Sequence, residues 1–125
     1  MTTATVLLHH RPGLHAHLLK VTGGDDTAAC AILGKTLCRA ALSFREDGPP
    51  PRIRPWLTGL ARAVAREPES YAWVTRSVYR LPEQHRRTVV DLCYRNMAVD
   101  AFAARHELPD EAVPGWLDAA LGALT

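Results

Sequence analysis

Four histidines, His9, His10, His15 and His17, crowd the start of the chain, and cysteines stand at 30, 38 and 93. Imidazole and thiolate are the usual holders of zinc-like ions, and His10 and His17, seven apart, could share one helix face if Pro12 only kinks the helix. No acidic or thiol ligand lies close to these histidines in sequence, however, and the HExxH pattern is absent. They read as surface histidines, with no metal and no cofactor expected. Cys30 and Cys38 would sit near one face of one helix as packing residues. An odd cysteine count without CxxC spacing suggests reduced thiols in a cytoplasmic protein. Nucleophilic catalysis has little support: there is no GxSxG, no phosphate-cradling glycine loop and no Cys-His spacing signal. Gly23-Gly24-Asp25-Asp26 reads as a helix stop followed by a cap. These residue types suggest a protein that binds rather than an enzyme.

What is left for recognition is charge, and it is unevenly spread. The formal net charge is +2. Residues 1–66 carry nine Arg/Lys against four acids, residues 67–95 five against four, and residues 96–125 a lone Arg105 against five acids. The first half is therefore the better surface for a polyanion.

The elements that must position these groups are helices. Hydrophobic residues make up 47% of the 125 residues, with alanine and leucine prominent and aromatics at 6%, which favours helix over sheet. No window approaches the roughly 18 uninterrupted apolar residues of a membrane span, and Met1–Leu8 lacks the basic start of a secretory signal. Pro12-Gly13 is expected to interrupt the first apolar stretch, and Gly23-Gly24 to end the element that resumes after it. Ile32, Leu33, Leu37, Ala40, Ala41 and Phe44 recur at three and four in the next helix, capped by Asp25 or Asp26. Glu46–Pro51, EDGPPP, is the clearest loop. Pro55, Pro68 and Pro82 suit the first turns of three further helices. Val99–His106 and Asp110–Leu124 are two more. The expectation is an all-α chain of six or seven short helices, with Trp56, Trp73 and Trp116 as packing anchors.

The order of motifs resembles bacterial RNA polymerase sigma factors of the extracytoplasmic-function type, shortened and degenerate. Residues 81–125 resemble the region 4 helix-turn-helix: Leu81-Pro82 opens it, and Arg86, Val89, Val90, Leu92 and Tyr94 fit its first helix. Val99, Ala101, Phe102, Ala103 and Ala104 fit the short second helix, and Leu108 to Leu121 the recognition helix. Residues 1–66 resemble region 2 through Leu14–Thr22 with Gly23-Gly24-Asp25, Arg39-Ala40, and Trp56-Leu57-Thr58-Gly59-Leu60-Ala61-Arg62. Residues 67–80 would be a short connecting helix. The resemblance implies a region 2-like bundle packed against a region 4-like unit. It also implies a transcription regulatory protein that binds core RNA polymerase, promoter DNA or both.

The departures from the family pattern redirect that expectation. Where the resemblance implies acidic and Gln residues gripping polymerase, the chain has Cys30, Ala31, Gly34 and Lys35. Where it implies Thr, Lys and Arg facing DNA, it has Ala112, Pro114, Trp116 and then Asp118. Glu107 replaces the glycine of the tight turn. Asp110–Leu124 holds three acids and no Lys or Arg. Phosphate contact draws most of its free energy from such cations, so base reading by this helix is not expected. Accessory phosphate contact falls instead to Arg76, Arg80, Arg86 and Arg87, and to Arg52, Arg54 and Arg62, which could equally form a solvated helix face. The alternative is a pseudo-sigma interaction module that binds an anti-sigma factor or another protein, or forms a homo-oligomer. Its expected surface is Ile32, Lys35 and Arg39 on one helix and Trp116, Leu117 and Leu121 on the last.

Overall fold

In the computed structural model, which describes residues 1–125, helix α1 runs unbroken from Thr3 to Val21. The expected interruption at Pro12-Gly13 does not occur. A proline inside a helix costs about 3 kcal/mol in lost hydrogen bonding and crowding. Here Ala4, Leu7, Leu14 and Leu18 are buried on both sides of it, and each buried leucine returns about 1.5–3 kcal/mol. Pro12 and Gly13 themselves lie on the exposed side. Packing of the continuous face outweighs the local cost.

Gly23 (φ +65°) and Gly24 (φ +88°) then take left-handed backbone, and the chain reverses into α2, Asp26–Asp47. The Asp25 carboxylate caps α2 by accepting from the Ala28 amide at 3.1 Å. The helix is long and apolar enough to cross a membrane by length and composition, yet twelve of its 22 residues are buried within the protein. It is the central strut, with α1, α3 (Ile53–Arg66) and α4 (Ala72–Tyr79) against it. A 3-10 turn, Pro68–Tyr71, leads into α4, so the expected connecting helix over 67–80 is α-helical only in its second part.

Helix α5, Glu83–Val89, passes directly into a π turn, Val90–Tyr94, where a single α-helix is expected. The wider turn coincides with a close approach. The Tyr94 ring lies against Gly34 of α2, in space that a β-carbon at position 34 would occupy. The Tyr94 hydroxyl shares a 2.9 Å hydrogen bond with Thr75 Oγ1, and burial pushes this phenol well above its ordinary pKa. Helix α6, Val99–Arg105, and α7, Val113–Gly122, complete seven helices with no strand.

The turn between α6 and α7 is a Schellman motif. The Leu108 amide donates to the Ala103 carbonyl at 2.8 Å and the Glu107 amide to Ala104 at 3.3 Å. Glu107 therefore sits at φ +55°, the left-handed position usually given to glycine.

Residues from 1–66, 67–80 and 81–125 contribute to one hydrophobic cluster. Three polar clamps join the two halves, and each reaches a helix terminus, Arg11 a loop carbonyl as well. Arg11, buried in α1, donates from Nη1 to the carbonyls of Leu92 (2.9 Å) and Met97 (2.7 Å) beyond α5. Arg45, in the last turn of α2, donates to the carbonyls of Leu121 and Leu124 at 2.8 Å each, at the end of α7. In return Asp118 of α7 accepts from the Ala4 amide, in the first turn of α1, at 2.9 Å. Cations at carbonyl ends and a carboxylate at an amide end all match the helix dipole.

Arg11→Met, which keeps the apolar stem and removes both donors, is expected to cost about 2–4 kcal/mol in urea unfolding. Glu107→Gly relieves the left-handed strain but loosens the unfolded chain, leaving a net gain of roughly 0.5–1 kcal/mol. A lower urea midpoint for this variant would mean that the Glu107 side chain makes a stabilising contact of its own.

Candidate functional site

The arginines do not act as one surface. Arg86 and Arg87 of α5 line a cleft of about 470 Å³ with Tyr79, Val90, Asp91, Arg95, Arg105 and His106. Four guanidiniums thus face one carboxylate. A second hollow of about 280 Å³, lined by Glu83, Gln84, Arg87, His106 and Trp116, adjoins it through the shared Arg87 and His106. Low-dielectric walls around such a charge excess focus a positive potential.

Asp91 anchors this cleft. It is buried on the π turn, 3.3 Å from the Arg105 guanidinium and 3.7 Å from that of Arg95. Both arginines remain largely exposed, so the pairs orient them without hiding their charge. Arg87 also pairs with Glu83 at 2.8 Å across one helical turn. Both partners are solvated, and such a pair is worth only a few tenths of a kcal/mol and yields readily to a stronger anion. The His106 ring stacks between Phe102 (4.4 Å between centroids) and Trp116 (5.3 Å). Its buried Nε2 has no hydrogen-bond partner in the protein.

Of the arginines expected to meet phosphate, Arg86 and Arg87 line this cleft. Arg76 and Arg80 are exposed at α4 but do not line it. Arg52, Arg54 and Arg62 lie at α3, where Arg54 belongs to a different cavity. Arg95 and Arg105 are the members that sequence reasoning missed. Arg95 follows Asp91 by four residues, a helical-pair signal, but Arg105 sits alone in an acidic segment and is brought in only by the fold.

The expected protein-partner surface needs correction. Ile32, Leu117 and Leu121 are buried in the core and present no free face. Helix α7 turns this apolar side inward because α5 and α1 cover it, and the Asp118 carboxylate is engaged by the amide end of α1. Trp116 is half-buried between the α6 and α7 side chains. Lys35 and Arg39 are half-buried too, and the Arg39 guanidinium lies 6.0 Å from the ring centroid of the exposed Trp73. On α7 the exposed positions are Gly115, Ala119 and Gly122, small and without cations.

The chain matches no family model, no curated protein and no solved structure. The likeness to sigma factors therefore stands on the motifs quoted above, and the chemistry on the geometry.

The N-terminal histidines divide among separate environments. His9 and His10 meet edge to face at 5.1 Å and line a cavity of about 210 Å³ with Arg54 and Thr58. Burial, then the neighbouring His9 and Arg54 charges, pull His10 below its ordinary pKa of 6.5. His17 carries a buried Nε2 without a partner, and His15 turns toward α2. His10 and His17 do not form a shared ligand pair.

A depressed imidazole pKa means that the unfolded chain takes up the proton more readily than the folded one. The stabilising contribution is complete above about pH 6.5 and is lost as pH falls through the lower folded value. Thermal melts between about pH 7 and about pH 5 are expected to show falling stability, with the fall shallower in His10→Gln. An unchanged slope in that variant would assign the effect elsewhere.

Proposed function

We propose that this is a sigma-factor-like transcription regulatory protein that acts by binding, without catalysis. Its nucleic-acid contact would be to backbone phosphate in the cleft between α4, α5 and α6, not to bases through α7. The observation that carries this reading is the grouping of Arg86, Arg87, Arg95 and Arg105 around one cleft, while α7 exposes no cation. Guanidiniums suit phosphate because their planar fork bonds two oxygens at once. Such binding is insensitive to sequence and strongly sensitive to salt.

Core RNA polymerase is a partner under this reading, through the accessible residues in the middle of α2, Ala31, Lys35 and Arg39. A second reading, a pseudo-sigma module that binds an anti-sigma factor or another protein, draws on the exposed Trp73 with Arg39 beside it. Trp and Arg are the side chains most often found at the energetic centres of protein interfaces.

Fluorescence anisotropy with a labelled duplex, titrated at graded salt, tests the first reading. Log affinity should fall steeply with log salt and be the same for promoter and scrambled sequences. Arg86→Glu with Arg95→Glu should weaken binding about tenfold or more and flatten the salt slope by roughly one unit per cation removed. Asp91→Asn should do the opposite, strengthening binding while lowering thermal stability, because it removes the carboxylate that competes for the Arg95 and Arg105 guanidiniums. A flat salt response in the wild type would overturn the phosphate reading and leave the protein-interaction module.

A further inference from the structure

From the side chains gathered where α1 meets the start of α2, we infer a binding site for a divalent cation of zinc-like softness, held by His15, Asp26 and Cys30. The double-glycine turn folds α2 back along α1. His15 Nε2 then lies 2.7 Å from Asp26 Oδ1, and Cys30 Sγ lies 3.8 Å from Asp26 Oδ2. One donor atom from each of the three residues falls within 4.8 Å of the others. Asp26 and Cys30 are four apart on one helix and share a face, as paired helical ligands must.

The donor set suits the ion. Nitrogen, carboxylate oxygen and thiolate sulfur are the three protein ligand types of Zn²⁺, and three protein ligands with one open position is a common arrangement. Bond lengths of about 2.0–2.3 Å at tetrahedral angles put neighbouring ligand atoms roughly 3.3–3.6 Å apart. The Cys30 sulfur is already near that distance from Asp26 Oδ2, while the imidazole nitrogen meets the other oxygen, Oδ1, so the carboxylate ligates with both oxygens or turns to offer one. The imidazole–carboxylate pair must open by about half an ångström, which the exposed Asp26 side chain does by rotation. On binding, the Cys30 thiol gives up its proton to solvent, and the neutral imidazole donates its Nε2 lone pair. A carboxylate and a thiolate then neutralise the dication.

Helix capping does not account for these residues. The capping role belongs to Asp25, through the Ala28 amide, which leaves the Asp26 carboxylate free to face His15 and Cys30. Cys30 is buried, unlike a reactive surface thiol, and its Sγ is turned to the carboxylate rather than to the apolar core. The other two cysteines are also buried, and neither belongs to a group of three ligand side chains.

The test uses the full chain freed of metal by chelator and titrated with Co²⁺, whose thiolate charge-transfer absorption reports sulfur ligation directly. The expected result is a charge-transfer band with tetrahedral visible bands, saturating at one ion per chain and bleached by Zn²⁺. Cys30→Ser should abolish the charge-transfer band, and His15→Gln should weaken binding about tenfold or more. Asp26→Asn, at an exposed position, keeps the fold available if the Cys30 variant does not refold, and should weaken binding likewise. Circular dichroism on each variant separates lost ligation from lost folding. Absence of the charge-transfer band in the folded wild-type chain, or a band unchanged in folded Asp26→Asn and His15→Gln, overturns the site.

Discussion

Arg11, Arg45 and Asp118 each cross from one half of the chain to a helix end in the other, and this exchange of end charges governs the rest of the molecule. A helix terminus leaves amides or carbonyls without partners, and burying them uncapped costs as much as losing hydrogen bonds in the core. Here the missing partners come from sequence-distant side chains. The ends of α1, α7 and the α5 segment therefore gain part of their hydrogen bonding only when the halves are docked. Apolar burial supplies the bulk of the cohesion, but these contacts fix which face meets which.

That constraint decides what is available for function. A helix that the family resemblance would send into a DNA groove is here turned inward, with Leu117 and Leu121 buried and its acid committed to α1. The positive surface lies instead around the π turn, lined by Arg86, Arg87, Arg95 and Arg105. Asp91 buries its carboxylate there and holds two arginines at the rim. A single extra residue in a helical turn thus sets the register of the cleft, in keeping with the tendency of π turns to occur at functional positions.

Much of the helical layout was legible in the sequence, because periodicity, prolines and the Gly23-Gly24 stop each carry a local physical signal. What failed did so for non-local reasons. Pro12 marks a break only if neighbouring packing is weak, and Leu7, Leu14 and Leu18 make it strong. Ile32, Leu117 and Leu121 look like an interaction surface only if nothing else covers them. Counting charge by segment placed Arg105 in an acidic tail, whereas the fold places it beside Arg95. His15, Asp26 and Cys30 show no recognised spacing, since their proximity is made by a chain reversal rather than by a motif.

The seat of Tyr94 on Gly34 ties two distant positions together. The ring fills the volume that any side chain at position 34 would need. A larger residue there would require the ring to leave first, and emptying that much buried volume costs about 3–5 kcal/mol, a large part of the typical 5–15 kcal/mol that holds a domain folded. Glycine at 34 and tyrosine at 94 can therefore vary only as a couple, although sixty residues of chain separate them.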